Sequence, residues 1–410
     1  MVTRKLKLAL LSVHSCPMGS LGGRDTGGMN VYVRELAGQL GKEGHLVDVY
    51  TRIHDAGEPQ IIELGQNARL VHLKAGESAD IPKLEIYNHL PEFVFNLENF
   101  KKENGLRYDL IFSHYWLSGR AGKSLQLSWD APHIIMFHTL GAVKNALGIG
   151  EDEPELRIEA ERDLVNYCYG IIAATEQEKE QLIAYYNTPP EAISIIPCGV
   201  NLDLFQPVNS DDAKRHLGLT SHKVILFVGR IEPIKGLDLL LRALTYLKDE
   251  PGLRLLIVGG DIHSRDEVAR LQQLSRDLKI SDLVTFTGSV KQTELPAFYS
   301  AADVCVIPSY SESFGLVALE SLACGTPVVA TRVGGMEEII RQGETGYVVK
   351  NNDPHLLAEK LSLILARANS KDKQVNKMRA SVVRLGWPSI TRMIAEECQK
   401  VLADYQPHNN

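Results

Sequence analysis

What this 410-residue chain lacks narrows what it can be. Its six cysteines, Cys16, Cys168, Cys198, Cys305, Cys324 and Cys398, include no C-x-x-C pair. Several lie in apolar, strand-like contexts, which is the usage of reduced, mostly buried thiols in a cytoplasmic protein rather than of a disulfide framework. Among thirteen histidines there is no H-x-x-x-H spacing, so no metal site is expected. Positive charge is in deficit: 44 Lys and Arg stand against 51 Asp and Glu, a net charge of -7. Such a chain has no global attraction for nucleic acid or an anionic membrane, and neither is expected as a partner. No apolar run approaches a bilayer span. Arg4-Lys5-Leu6-Lys7 and the apolar residues Leu8 to Val13 are too short for a leader, and His14 follows without a small-residue cleavage pattern, so a first strand is expected there. Neither a short-period repeat nor a low-complexity tract is present.

What is present is ordinary for a soluble globular enzyme, with 44% hydrophobic and 23% charged residues. Apolar runs at Leu6–His14, Leu46–Arg52, Arg69–Lys74, Asp109–His114, His133–His138, Gly170–Thr175 and Ile193–Pro197 predict one set of strands. A second set follows at Val224–Gly229, Arg254–Val258, Leu283–Thr287, Asp303–Ile307, Pro327–Thr331 and Gly346–Val349. Continuous apolar runs separated by helix-length connections imply parallel sheets covered on both faces. The pattern restarts near residue 220, so two domains are expected, 1–200 and 201–387, with a linker around Gly199–Thr220. From Trp387-Pro388 onward the pattern is an amphipathic helix with Pro in its first turn.

The most informative stretch runs from Val306 to Glu320: an apolar strand, the polar turn Ser309-Tyr310-Ser311-Glu312-Ser313, then Phe314-Gly315-Leu316 opening a helix. In an open α/β sheet such a turn lies in the crevice outside the carboxyl ends of the strands, and the helix start offers free N–H groups to an anion. Glu312 and Glu320, eight residues apart, frame it with carboxylates suited to accept from sugar hydroxyls. Phosphate at the helix start and hydroxyls at the two Glu describe a nucleotide-sugar. An isolated Glu pair is more often a solvated loop residue and a surface charge. Here the flanking S-Y-S-E-S-F-G-L-V and the following A-C-G-T-P-V-V-A-T-R-V-G-G resemble the E-x7-E segment of the retaining glycosyltransferases of family GT4, which have the GT-B architecture. That resemblance implies an α/β fold of two Rossmann-like domains whose parallel sheets face across a cleft. It also implies that the last helix, 388–410, packs back on the N-terminal domain.

Further motifs fit. Arg230 and Lys235, in Gly229-Arg230-Ile231-Glu232-Pro233-Ile234-Lys235-Gly236, resemble the family's G-R-x-x-x-x-K-G signature. Two such cations can meet the charge that builds on a departing diphosphate without a metal, so no cofactor is expected and Mg2+ is at most stimulatory. The first βα turn, Leu21 to Asn30, is glycine-rich but not G-x-G-x-x-G, and strand two ends at Thr51-Arg52 with no acidic residue for a dinucleotide ribose. Its D-T-G-G-M-N-V-Y-V resembles the acceptor-domain loop of family members that use sugar-phosphate acceptors. Gly27, Gly28 and Asn30 are carried over on that ground as acceptor residues, Gly28 also as a donor contact. Lys83, within Ile81-Pro82-Lys83 before Leu90-Pro91-Glu92-Phe93-Val94, resembles the acceptor region of sucrose-forming members. Tyr115, Thr139, Lys144 and Arg157 fall in segments of the same domain. Lys83, Tyr115, Thr139 and Arg157 together would form a phosphate pocket of two cations and two hydroxyls. Alone, each is more often structural. His138, ending a strand, is as readily a core histidine. The resemblance places it beside the donor sugar, without the role of general base, and implies that a departing diphosphate oxygen helps deprotonate the acceptor.

The resemblance thus implies a hexosyltransferase with a UDP-sugar donor and a sugar-phosphate acceptor. Donor contacts are expected from Gly28, Arg230, Lys235, Glu312, Ser313, Phe314, Gly315, Leu316 and Glu320, and catalytic roles for His138, Arg230, Lys235 and Glu312. Two acceptors compete. Residues 81–94 point to fructose 6-phosphate with UDP-glucose, giving sucrose 6-phosphate, and this is put first. With no phosphatase-like extension, release of free sucrose is expected to need a separate sucrose-phosphate phosphatase. The stretches G-G-M-N-V-Y and H-T-L-x-A-V-K-N look closer to the mycothiol-pathway branch, which joins UDP-N-acetylglucosamine to inositol phosphate. A nucleotide-sugar epimerase, which needs no acceptor, and a catalytically silent nucleotide-sugar sensor are the alternatives of other classes. Intact Arg230, Lys235, Glu312 and Glu320 speak against the sensor.

Overall fold

The computed structural model describes residues 4–19, 26–79, 81–366 and 371–406, and for 371–373 only the backbone. The first-turn residues 20–25, and residues 407–410 of the helix expected over 388–410, lie outside the described residues. The chain forms two compact units. One comprises 1–19, 28–197 and 387–410; the other comprises 20–27 and 198–386.

The first unit begins β1 (Lys7–Leu11), α1 (Gly28–Lys42), β2 (Leu46–Arg52), β3 (Ile61–Gly65), β4 (Ala68–Leu73), α2 (Lys83–Asn88) and α3 (Leu90–Glu103). It continues β5 (Leu110–His114), α4 (Trp116–Trp129), β6 (His133–Met136), α5 (Gly141–Leu147), α6 (Glu155–Tyr167), β7 (Gly170–Ala173), α7 (Glu176–Tyr186) and β8 (Ile193–Ile195). The second unit holds α8 (Ser210–His216), β9 (Lys223–Val228), α9 (Leu237–Leu244), β10 (Leu253–Val258), α10 (Arg265–Asp277), β11 (Val284–Gly288) and α11 (Leu295–Ala301). It ends with β12 (Val304–Ile307), α12 (Leu316–Ala323), β13 (Val328–Thr331), α13 (Met336–Ile339), β14 (Gly346–Val349), α14 (Pro354–Leu365) and α15 (Lys371–Val382). The last helix, α16 (Trp387–Asp404), belongs to the first unit, where Trp387 meets Tyr32 of α1 edge to face at 5.3 Å.

The first sheet has the order β3-β4-β2-β1-β5-β6-β7-β8, the second β11-β10-β9-β12-β13-β14. Every pairing between these strands is parallel except β3 with β4. Both cores are built as the apolar runs dictate: Leu11, Ile111, Phe137 and Trp116 are buried in the first, Ile225, Leu240, Ile257 and Val306 in the second. Two departures from the sequence expectation have simple causes. The antiparallel edge strand β3 has no counterpart there, because its burial alternates and its outer face is wet, so it shows no continuous apolar run. The expected linker contains a helix, α8, capped by Asn209 Oδ1, which accepts from Asp211 N and Asp212 N at 3.0 Å each. Arg379 also ties that segment down, donating to the carbonyls of Leu202 at 2.8 Å and Phe205 at 2.6 Å. No helix among the described residues is long and apolar enough to cross a membrane.

One buried carboxyl makes the first unit's stability depend on pH. Glu178, in the first turn of α7, accepts from Ala174 N at 2.7 Å, yet burial pushes its carboxyl up to about 7. The fold therefore favours the protonated form. The stability this adds is full below the ordinary carboxylate range and is lost as pH rises through about 7. Glu178→Gln keeps the acceptor and removes the titration. Its Tm should match the parent at low pH and exceed it by pH 8, the gap opening by at most about 1.4 kcal/mol per pH unit. Tm profiles that run parallel from pH 5 to 8 would count against a buried charge here.

Candidate functional site

In each sheet the candidate residues gather where the strand order reverses, at the carboxyl ends of the strands. In the second unit that point lies between β9 and β12. Arg230 and Lys235 leave β9; Glu312 leaves β12. Tyr310 N donates to Ile234 O at 2.9 Å and holds the two loops side by side. They touch so closely at Gly236 that a Cβ there would lie 2.0 Å from Pro308 O, on a φ of +67°. Only glycine fits, which explains the K-G pair. Lys235 Nζ then reaches Glu312 Oε2 at 2.7 Å. Arg230 Nη1 meets Glu232 Oε1 at 2.7 Å. Both expected diphosphate cations thus rest on carboxylates.

Gly315, at φ +103°, opens α12 where a Cβ would strike Met336 Cε at 2.1 Å. Phe314 is buried beside it; Ser313 and Leu316 are partly exposed. Glu320 is no surface charge. It is 7% exposed and accepts from Tyr299 Oη at 2.7 Å. Gly27 belongs to this unit, where a Cβ on it would come 3.7 Å from Arg230 Nε.

In the first unit the order reverses between β1 and β5. His14 follows β1, Tyr115 follows β5 and Thr139 follows β6. The four residues expected to form a phosphate pocket do converge. The Arg157 guanidinium lies 4.8 Å above the Tyr115 ring, and Lys83 Nζ lies 6.0 Å from the same ring. Arg157 Nη2 donates to Thr139 O at 2.8 Å and to Thr139 Oγ1 at 3.0 Å. Tyr115 takes a φ of +78°, rare for an aromatic residue and a sign of a backbone held in place by its surroundings.

The charge there differs from the expectation. Arg157 is 1% exposed and pairs with Glu161 at 2.7 Å and Glu153 at 2.9 Å. Lys144 pairs with Glu153 as well. Burial alone would raise the Glu153 carboxyl, but Arg157 and Lys144 outweigh it and hold it below the usual range. Arg157 is therefore a neutralised post under Thr139 and Tyr115. Lys83, the first residue of α2, is the more accessible cation of the group, partly exposed where Arg157 is buried. Asn30 is 1% exposed and braces the loop after β1, donating to Ser15 Oγ at 2.7 Å and Cys16 O at 2.6 Å. Gly28 is the first residue of α1.

Three histidines complete this end of the sheet. His138 Nε2 lies 3.0 Å from His114 Nδ1, and burial pushes His138 down to about 3. Burial lowers His114 far below its ordinary value. It does the same to His14, with help from Lys83 and Arg157. All three are neutral near pH 7. They can exchange hydrogen bonds with hydroxyls without repelling an anion or pairing with it. The His14 ring lies tilted against that of Tyr115, centroids 4.3 Å apart, a contact that the sequence does not single out. Nor does it single out Glu153 and Glu161, although their spacing of four residues to either side of Arg157 is a helical-face signal.

Glu312→Gln and Glu320→Gln keep shape and weaken any charge-assisted contact to donor hydroxyls by on the order of 1–3 kcal/mol. Donor KM or kcat should suffer while acceptor KM holds. In Glu320→Gln the amide oxygen could still accept from Tyr299, so a melt should show that variant folded. A defect confined to the acceptor would contradict the donor assignment.

Two α/β units with parallel sheets, each gathering polar side chains at its switch point, are the halves of a GT-B glycosyltransferase. Residues 26–204 match the Glycosyltransferase Family 4 model and residues 209–381 the model of Glycosyl transferases group 1. The chain belongs to this glycosyltransferase family. It is 41% identical over 372 residues to the D-inositol 3-phosphate glycosyltransferase of Geodermatophilus obscurus, across 88% of this chain and 82% of that one. To the enzyme of the same name from Corynebacterium glutamicum it is 36% identical, across 88% of each. Among solved structures, sucrose-phosphate synthase from Thermosynechococcus elongatus superposes with a TM-score of 0.88 at 34% identity, across 98% of this chain and 100% of that one.

Proposed function

We propose that this glycosyltransferase moves a hexosyl unit from a UDP-sugar to the hydroxyl of a phosphorylated polyol, with inositol phosphate as the acceptor. The observation that carries the phosphorylated acceptor is the convergence of Lys83, Tyr115, Thr139 and Arg157 beside three neutral histidines. Inositol phosphate is placed ahead of fructose 6-phosphate because the relatives at 36–41% identity carry the inositol 3-phosphate name. This reverses the order in which the sequence alone puts them. Fructose 6-phosphate stays the second reading, supported by the sucrose-phosphate synthase structure and by residues 81–94.

In this reading Arg230 and Lys235 meet the departing diphosphate, and Glu312 and Glu320 accept from donor hydroxyls. The product retains the donor's anomeric configuration, and a departing phosphate oxygen takes the acceptor proton. No metal is needed at the diphosphate, because the two cations supply the charge. The test is a screen of UDP-glucose and UDP-N-acetylglucosamine against inositol phosphate and fructose 6-phosphate, reading UDP release and product mass. Turnover with fructose 6-phosphate but not inositol phosphate would restore the first order. An isomerised nucleotide-sugar formed without any acceptor would sink both in favour of an epimerase.

A further inference from the structure

At the exit of β1, three side chains that the site above does not use meet with their metal-binding atoms together. Cys16 Sγ lies 3.4 Å from His72 Nε2, and His72 Nε2 lies 3.9 Å from Glu58 Oε2. All three atoms fall within 4.8 Å of one another. We propose that Cys16, Glu58 and His72 hold a zinc-class divalent ion that pins the exit loop of β1 to β4 and to the loop between β2 and β3.

The geometry suits that ion. A tetrahedral zinc with bonds of about 2.3 Å to sulfur and about 2.0–2.2 Å to nitrogen and oxygen sets its ligands about 3.4–3.6 Å apart. The observed sulfur–nitrogen distance of 3.4 Å is already of that size, and the carboxylate has to close in from 3.9 Å on the nitrogen and from no more than 4.8 Å on the sulfur. A thiolate with an imidazole favours zinc over magnesium or calcium.

The outer contacts are those a metal-bound imidazole has. Pro59 O lies 2.7 Å from His72 Nδ1, so that nitrogen carries the hydrogen and donates it. The Nε2 lone pair is then left facing the thiol and the carboxylate. In the ion's absence a thiol hydrogen can serve the sulfur–nitrogen contact, whereas the nitrogen and the carboxylate are joined only by a proton on Nε2 or by a metal ion. Glu58 Oε2 is itself oriented by His54 N at 2.9 Å and Asp55 N at 3.3 Å. The His72 side chain is fully buried while Glu58 is 27% exposed, which gives the ion a way in and leaves a fourth position for water. The fold, not the spacing along the chain, assembles the set. Cys16 comes from β1's exit, His72 from β4 and Glu58 from the loop before β3. Cys16 O is the atom that Asn30 braces, so the ion would fix the same loop that carries His14 to Tyr115.

The experiment uses the full chain without a histidine tag, stripped with chelator and titrated with Zn2+ against a chromophoric competitor, then reconstituted with Co2+. One equivalent of Zn2+ per chain is expected, with a thiolate-to-Co2+ charge-transfer band in the near ultraviolet and a higher Tm. Cys16→Ser should abolish the band. It and His72→Gln should each weaken Zn2+ by more than the roughly 10–100-fold that loss of an outer-shell partner costs. Melts of the metal-free variants separate lost binding from lost folding. Absence of stoichiometric Zn2+ would overturn the proposal. So would a Co2+ spectrum without a thiolate band, or equal affinity in Cys16→Ser, which would put the ion elsewhere.

Discussion

Arg230→Ala should lower kcat by about 10²–10³-fold and leave the fold intact. The charge argument is direct. Cleaving a sugar–diphosphate bond concentrates negative charge on the leaving oxygens, and a cation placed there before the reaction stabilises the transition state more than the ground state. In the proposed function Arg230 and Lys235 stand at the exit of β9 for that purpose, but their partners make the two variants unequal. Arg230 rests on Glu232, two residues away, with both side chains 33% exposed. Losing the guanidinium frees a carboxylate that water can solvate. Lys235 pairs with Glu312 across the switch point at 17% and 21% exposure. Its removal leaves a less accessible carboxylate unpaired, beside the place assigned to the donor. Lys235→Ala should therefore lower kcat to a similar extent and also raise donor KM. Steady-state kinetics with varied donor separates the two. Near-normal turnover in both variants would remove the diphosphate assignment, and a pure KM effect in Arg230→Ala would move that residue to ground-state binding.

Much of this can be read from the amino acids because it is local. A buried parallel strand announces itself as an apolar run, and a helix opening at a glycine after a polar turn needs only about a dozen residues. The runs that predict β9, β12 and β14 end within a residue or two of the strands themselves. The K-G and F-G pairs are legible as motifs, while their cause, two backbones closing on Gly236 and Met336 closing on Gly315, belongs to the fold. Charge balance is the least legible property. Residue type marks Arg157 as a cation, but it cannot show that Glu153 and Glu161 cancel it in the interior. Likewise, Glu320 reads as a helix-surface charge or a ligand, and it lies against Tyr299. The Cys16–Glu58–His72 cluster is invisible for the same reason. A search for histidines four apart presumes one helix, whereas these atoms come from a strand and two loops.

That charge balance decides how the phosphate preference should be tested. The protein carries a net charge of -7, so a second anion beside a UDP-sugar needs a local cation. Arg157 is buried and held between two carboxylates, whereas Lys83, over the Tyr115 ring, is partly exposed, so Lys83 is the cation to probe first. Arg157→Ala would leave the fully buried Glu161 without its cation, while Glu153 keeps Lys144; a broken buried pair costs about 3–5 kcal/mol, and the variant's low activity would report on folding. Lys83→Ala is the clean probe, because the side chain is partly exposed and its loss opens no core. A charged contact is worth roughly 1.5–3 kcal/mol, so kcat/KM for the phosphorylated acceptor should fall by about 10- to 100-fold. Activity on the unphosphorylated polyol, already lower by several orders of magnitude in the parent if Tyr115, Thr139 and the Arg157 fork add their hydrogen bonds, should hardly change. Lys83→Arg should recover part of the loss, because charge is kept while the geometry shifts. The comparison is run with inositol phosphate and inositol, and again with fructose 6-phosphate and fructose. An equal loss on phosphorylated and free acceptors would mean that Lys83 shapes the site without reading the phosphate. A parent enzyme that takes inositol as readily as its phosphate would show that these four side chains serve some other part of the acceptor.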